Sequence, residues 1–331
     1  MKKKIAILGS TGSIGKTTFN IIKKNKKDFD VVLLTTNKNV KEVLKQAKDL
    51  NVNDIIISSK KHYLKVLNIK KYKKLKIYND FNTVNKILKK KVDYCMCAIT
   101  GLPGLEPTLS FIKHSKKIAI ANKESIICAW NLIQKELIKN KTEFVPVDSE
   151  HFSIMSLIKN SNNEKIDKIY ITASGGPFLN LPINKFKKIN PENAIKHPRW
   201  SMGKKISVDS ATMMNKLFEV IEAKKIFNLK YSQLKILIHP NSYVHAIIKF
   251  KNGLTKMLIH DTDMSVPIFN SIYNNESDYY GSKHLNFKLM NNLNLSYVNK
   301  TKFPSINLLK IIPNNNSLFE TVLISSNDVL V

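Results

Sequence analysis

Four apolar residues, Ile5-Ala-Ile-Leu8, break into Gly9-Ser-Thr-Gly12-Ser-Ile-Gly15 and then into a helical spacing through Thr18, Ile21 and Ile22. The pattern predicts a strand, a glycine turn and a helix. Further short apolar runs follow at Asp30-Val-Val-Leu-Leu34, Ile55-Ile-Ile57, Tyr94-Cys-Met-Cys-Ala-Ile99 and Lys117-Ile-Ala-Ile-Ala121, with longer helical stretches between them. Such alternation predicts an α/β fold, with a Rossmann-like doubly wound parallel sheet over residues 1–145. Beyond it, Phe144-Val-Pro-Val147, Ile169-Tyr-Ile171, Ile236-Leu-Ile238 and Ile247-Ile-Lys-Phe250 read as strands of an α+β domain over 146–273. Within that domain Met213, Met214, Leu217, Phe218, Ile221 and Ala223 recur at helical steps, so a helix is expected to begin near Ser210, with Asp209 or Ser210 as its cap. From Asn274 the chain is rich in Asn, Ser and Tyr with little periodicity, and 274–300 is expected to be a linker.

Composition narrows this picture. A chain of 331 residues with 43% apolar content can build two or three domains with sizeable cores. No apolar run approaches the roughly 20 residues of a membrane span, and Met1-Lys-Lys-Lys4 leads straight into a core strand. A cytoplasmic protein with no membrane partner is expected. Cys95, Cys97 and Cys128 have neither zinc-like nor redox spacing, and read as buried thiols. The net charge of +29 would suit a polyanion, yet the lysines are scattered among Asn and Ile, whose codons are A/T-rich, and no basic stripe alternates with aromatics. Codon bias is the simpler explanation, so no nucleic-acid partner is expected.

Several motifs carry candidate chemistry. Glycines three apart let a backbone approach a pyrophosphate seated on a helix N-terminus; the plainer alternative is a loop that merely needs glycines. After the second strand come Asn37, Lys38 and Asn39, with no acid to hold a ribose 2′-hydroxyl. Lys38 among polar neighbours suits a 2′-phosphate, hence NADP(H), unless it is one more lysine of many. Asn122, Lys123 and Glu124 follow a strand at the carboxyl edge, where such sheets bind ligands. Asp148 and Glu150 form a D-x-E pair whose oxygens suit Mg²⁺ or Mn²⁺, with Glu219 as a third ligand; a surface turn is the alternative. His151 is a ligand candidate or a capping or supporting residue, and His239 and His245 read as structural.

Asn215, Glu219 and Glu222 share one helix face flanked by Lys216, which is either a site or a solvated face with intrahelical pairs. Ser207 and Ser210 offer hydroxyls for an anion beside a helix start. Ser174 in Ala173-Ser-Gly-Gly-Pro-Phe178 suits the same role. Trp200-Ser-Met202-Gly203 reads as a lid or as a surface loop with a Trp anchor.

Taken together, Gly-Ser-Thr-Gly-Ser-Ile-Gly at 9–15, Ala-Asn-Lys-Glu-Ser at 121–125, Val-Asp-Ser-Glu-His at 147–151, Ser-Gly-Gly-Pro-Phe at 174–178 and the block at 200–216 resemble the 1-deoxy-D-xylulose 5-phosphate reductoisomerases. The resemblance implies NADPH- and metal-dependent rearrangement and reduction of that phosphorylated sugar to 2-C-methyl-D-erythritol 4-phosphate, by a homodimer. Asp148, Glu150 and Glu219 would hold Mg²⁺, Mn²⁺ or Co²⁺. Ser174, His197, Ser210, Asn215 and Lys216 would surround the phosphate, and Ser149 and Lys123 the substrate backbone. Thr11, Gly12, Ser13, Ile14, Lys38, Asn39, Asn122, Glu124 and Gly203 match cofactor positions, with Asn37 beside them. Trp200 and Met202 match a closing flap over the substrate. Leu217 departs from the small residue usual in the family. Residues 301–331 resemble only the start of a C-terminal helical domain, so a truncated domain is expected, with a non-catalytic NADPH-binding remnant as the alternative function.

Overall fold

The computed structural model describes residues 1–67, 69, 75–159, 165–196, 203–273, 284–314 and 317–331. The chain forms two compact units, one of Met1–Ser125, Ala129–Val147 and Pro267–Asp278, the other of Ile126–Cys128, Asp148–Val266 and Tyr279–Val331. Part of the stretch expected to close the middle domain therefore groups with the first unit. Tyr273 meets Phe29 edge-on at 5.4 Å, and the Tyr94 hydroxyl shares a 2.7 Å hydrogen bond with that of Ser271.

The first unit runs through Lys3–Leu8 (β1), Ser13–Lys24 (α1), Phe29–Thr36 (β2), Val40–Leu50 (α2), Asp54–Ile57 (β3), Lys60–Leu67 (α3), Lys76–Tyr78 (β4) and Val84–Ile87 (α4). It continues with Val92–Cys97 (β5), Leu105–Ile112 (α5), Ser115–Ile120 (β6), Lys123–Asn140 (α6) and Glu143–Pro146 (β7). Its seven strands are all parallel in the order β4-β3-β2-β1-β5-β6-β7. Strands covered on both faces read as continuous apolar runs, which is why Ile5, Ala6, Ile7 and Leu8 are fully buried. The order reverses between β1 and β5, and ligands bind at such a switch point, outside the strands' carboxyl ends.

The second unit contains Ser149–Ile158 (α7), Ile166–Ala173 (β8), Pro191–Ala194 (α8), Lys204–Ala211 (α9), Met214–Phe227 (α10), Leu234–Ile238 (β9), Val244–Phe250 (β10) and Thr255–Ile259 (β11). Ser265–Tyr273 (α11), whose first two residues belong here, precedes Phe287–Met290 (α12), Ser296–Tyr297 (β12) and Phe319–Leu330 (α13). The sheet order is β11-β10-β8-β9-β12, with β8 and β9 parallel and the other pairs antiparallel. Thus the stretch expected as a linker contributes an edge strand, β12, which pairs with β9. Leu217, Phe218 and Ile221 of α10 join Ile169 and Ile171 of β8, Ile236 of β9, Ile248 of β10 and Ile324 of α13 in one core.

Leu217 points wholly into that core. The helix expected to begin near Ser210 is two helices. Met213 adopts a left-handed backbone (φ 64°) between α9 and α10, so Asp209 and Ser210 lie in the last turn of α9 and cap nothing. Among the described residues no helix is long and apolar enough to cross a membrane.

Candidate active site

In the first unit the glycine turn is fixed to its neighbours by close backbone approach. Gly9 has φ +72°, and a Cβ there would come within 2.6 Å of the Ala98 carbonyl beyond β5. A Cβ on Gly15 would overlap the Gly9 carbonyl, which is how α1 packs so tightly on the turn. The Gly9 N–H donates to Thr35 Oγ1 at 2.8 Å, and the Thr11 and Thr36 hydroxyls lie 2.8 Å apart, tying the turn to the end of β2. Asn37, Lys38 and Asn39 follow directly and are exposed, and Asn39 accepts from Glu42 N–H to cap α2.

Gly12 and Ser13 are exposed and Thr11 and Ile14 half-buried at the start of α1, a helix with no side-chain cap and no acid in its first turn. A helix start so left open attracts an anion. Asn122 ties the carboxyl ends of β5 and β6 together: it donates to the carbonyls of Ile99 and, at 2.7 Å, Gly101, and accepts from Ser125 N–H to cap α6. Lys123 and Glu124 follow it, both buried. Thr36 and Gln46, which donates to Ser10 O at 3.0 Å, support the turn without any signal in local sequence.

The second unit assembles the acid cluster from α7 and α10. Asp148 caps α7, accepting from Glu150 N–H at 3.2 Å, so the D-x-E spacing places both carboxylates at a helix start. Glu219 arrives from α10. One oxygen each of Asp148, Glu150 and Glu219 lie within 4.8 Å of one another. His151 joins the helices: its Nε2 donates to Glu219 O at 2.9 Å, and its other ring nitrogen is 3.5 Å from Asp148 Oδ1. It supports the acids from beneath rather than adding a ligand atom to the group.

Lys216 Nζ sits between two acids, 2.8 Å from Glu150 Oε1 and 2.5 Å from Glu219 Oε2. Ser149 Oγ donates to Glu150 Oε2, and Asn215 Nδ2 to Glu219 Oε1, each at 2.5 Å. Burial raises the Glu150 carboxyl pKa, but attraction to Lys216 and hydrogen bonds from Lys216 and Ser149 outweigh it and hold the group well below the usual carboxylate range. Burial likewise lowers the Lys216 ammonium, and Glu150 and Glu219 more than reverse it. Side chains of Lys216 and Glu219 are 7% and 2% exposed, so this is no solvated helix face. Glu222 is buried too.

Ser174 and Ser210 are brought together by a glycine. Gly176 (φ +68°) lies so close to α9 that a Cβ would stand 2.7 Å from Ser210 O, and its N–H donates to Ser174 Oγ at 3.1 Å. Both hydroxyl residues are half-buried. Gly203 caps α9 in open space. His245 of β10 is buried and stacked on His260 at 3.7 Å, and burial pushes it down to about 3. His239, just after β9, is likewise buried, with Nδ1 3.2 Å from Asn294 O. His197, Trp200 and Met202 lie outside the described residues.

A dinucleotide-type parallel sheet and a convergent group of oxygen donors with a lysine beside them are the equipment of a nucleotide-dependent oxidoreductase that works with a divalent metal. Residues 5–130 match the family model for 1-deoxy-D-xylulose 5-phosphate reductoisomerase, and residues 144–227 that of its C-terminal domain. The reductoisomerase of Pelagibacter ubique (strain HTCC1062) is 57% identical over 331 residues, covering 99% of this chain and 85% of the relative. The Zymomonas mobilis enzyme, solved in complex with NADPH, superposes with a TM-score of 0.84 at 31% identity, covering 93% of this chain and 80% of that one. A DOX-P reductoisomerase in complex with NADPH, fosmidomycin and magnesium gives a TM-score of 0.85 at 32% identity, covering 93% and 79%. The chain belongs to the 1-deoxy-D-xylulose 5-phosphate reductoisomerase family.

Proposed function

We propose that the chain rearranges 1-deoxy-D-xylulose 5-phosphate and reduces the product to 2-C-methyl-D-erythritol 4-phosphate, using NADPH and a divalent cation. The observation that carries this reading is the convergence of Asp148, Glu150 and Glu219 beside Lys216 in a chain that also has the glycine turn. Three carboxylates fit a hard cation, whose ligands are oxygens, and would hold Mg²⁺, Mn²⁺ or Co²⁺. When bound, the cation supplies Lewis acidity to the substrate's carbonyl and hydroxyl oxygens, and NADPH supplies the hydride.

The chain's own residues bind and orient. Lys216 offers the phosphate an ammonium, and Ser174, Ser210 and Asn215 offer short-range donors, all within the second unit. Ser149 reaches the substrate backbone from the first turn of α7, with Lys123 as a second contact. His151 keeps the α7 and α10 acids in register. The α1 start receives the pyrophosphate through Thr11, Gly12, Ser13 and Ile14, and Lys38 with Asn37 and Asn39 receives the 2′-phosphate. Asn122, Glu124 and Gly203 complete the cofactor set. His197 at the phosphate, and Trp200 with Met202 as the flap, rest on the family resemblance alone, as does a homodimer.

The direct test is NADPH oxidation by the purified chain. Oxidation that requires both 1-deoxy-D-xylulose 5-phosphate and Mg²⁺ or Mn²⁺ is expected. NADPH binding with no turnover, or turnover indifferent to the metal, would refute the proposal.

A further inference from the structure

A polar cluster outside the metal and cofactor residues ties α13 to α9. Asn327, in the last turns of α13, donates from Nδ2 to Asp209 Oδ1 at 2.8 Å. Both residues are buried, at 8% and 1% exposure. Lys205, in the first turn of α9, lies 3.4 Å from Asp209 Oδ2 and 2.7 Å from Asp328 Oδ1. At the other end of α13 Glu320 meets Lys225 at 2.7 Å, Lys224 at 3.3 Å and the Tyr231 hydroxyl at 2.6 Å. Between these anchors Ser305 Oγ donates to Thr212 O at 2.6 Å, on the break that separates α9 from α10. One helix thus grips both partners of the α9–α10 corner.

The grip on α9 is polar for a reason visible in α9 itself. Its buried residues are Ser207, Asp209 and Ala211, none of them a large hydrophobe. Apolar packing reaches the helix in one small cluster, where Ala211 and Val208 meet Phe178 and Ala194. A buried carboxylate is costly unless paired, so a helix that needed only to be covered would carry an apolar residue at 209. What the pairing with Asn327 and Lys205 provides is direction, since a hydrogen bond to a charged group is short and geometrically demanding. Ser210 follows Asp209 immediately, and its carbonyl abuts Gly176. Ser210 is thus held from one side by the Asp209 clamp and from the other by the Ser174–Gly176 turn.

We propose that Asp209 and Asn327 are positioning residues for the phosphate end of the substrate. By fixing α9 they set the Ser210 hydroxyl relative to Ser174, Asn215 and Lys216. The inference rests on the phosphate role of Ser210 proposed above. Asn327→Ala should raise the KM for 1-deoxy-D-xylulose 5-phosphate about tenfold, the size expected for losing a hydrogen bond to a charged group, with kcat retained. Binding of Mn²⁺, followed by electron paramagnetic resonance, and binding of NADPH, followed by fluorescence, should both stay unchanged, because the metal acids stand on α7 and α10.

Ser210→Ala separates the two readings. If it leaves KM unchanged, the phosphate role of Ser210 fails. If it raises KM while Asn327→Ala does not, the clamp fails. A fall in kcat alone, or parallel loss of substrate and Mn²⁺ affinity, would show that Asn327 serves general stability and would overturn the proposal. Should Asn327→Ala give no folded protein, Asn327→Ser, which keeps a shorter donor, should raise KM by a smaller factor, about threefold; no change there overturns it equally.

Discussion

The glycine turn after β1 and the acid cluster joining α7 to α10, the two sites proposed above, are built of different materials. The turn is backbone: Gly9 and Gly15 bring main chains together, and the start of α1 is left without an acidic side chain. The cluster is side chain. Asp148, Glu150 and Glu219 are worthless singly, and in water their repulsion would be screened. Packed together they need Lys216 between Glu150 and Glu219 to be tolerable at all. The turn itself should therefore be most sensitive to added atoms, and the acid cluster to lost charge.

Lys216→Met breaks the second site most deeply. It leaves buried carboxylates without their cation, so unfolding stability should fall by about 3–5 kcal/mol, the range for removing one partner of a buried pair. Added Mn²⁺ should restore more stability to the variant than it adds to the wild type. Denaturation curves with and without the ion read both effects, and a variant as stable as wild type would break the account.

Gly15→Ala adds a single methyl to the first site, where it meets the Gly9 carbonyl and stands 2.6 Å from Ser10 Cα. NADPH affinity should fall on the order of a hundredfold, about 3 kcal/mol, while Mn²⁺ binding persists. Wild-type NADPH affinity in this variant would mean the turn is no cofactor site.

Glu320→Gln sharpens the side-chain half of the comparison away from any ligand. The carboxyl loses its bridges from Lys225 and Lys224 but keeps an acceptor for Tyr231, so about 2 kcal/mol of stability should go. Burial raises this carboxyl's pKa, yet hydrogen bonds from Lys225 and Tyr231 and the lysine charges bring it below 4.5. A folded value depressed below the unfolded one contributes stability that is present above the unfolded pKa and lost as pH falls through the folded pKa. The gap between wild type and variant should hold from neutrality to near pH 4.5 and shrink below it. A gap that widens in acid would contradict the pairing.

The smallest effect is expected at Lys38→Glu, exposed beside the turn. Attraction to a 2′-phosphate becomes repulsion, so NADPH should weaken about tenfold more than NADH. Equal losses for both cofactors would remove Lys38 from that role.

The same contrast decides how far the sequence could be read. The first site is local, and the spacing of Gly9, Gly12 and Gly15 after a fully apolar strand announces it. Half of the second is local too, as Asp148 and Glu150. Its other half depends on whether the polar side of α10 faces water, and helical periodicity has no term for that. Burial of Glu219 and Lys216 follows from docking α7 through His151, which lies 68 residues earlier in the chain than the Glu219 carbonyl it holds.

The break at Met213 escaped for a related reason. Apolar spacing runs straight through it, and neither Gly nor Asn marks the left-handed residue. Lys76–Tyr78 and Thr255–Ile259 are short edge strands carrying lysines, and β12 is two residues long, so none has a pattern long enough to stand out. The Asn327–Asp209 bond spans 118 positions, and only the folded chain reveals it.

The central claim is that Asp148, Glu150 and Glu219 form a metal site whose chemistry is separable from the cofactor turn. Glu219→Gln keeps the side chain's size and its contact with Asn215 while removing one ligand charge. Titrated side by side with wild type, Mn²⁺ affinity should drop on the order of a hundredfold, as loss of a direct ligand implies, with NADPH affinity unchanged. Mn²⁺ binding that survives the substitution intact, or falls only in step with NADPH binding, would contradict it.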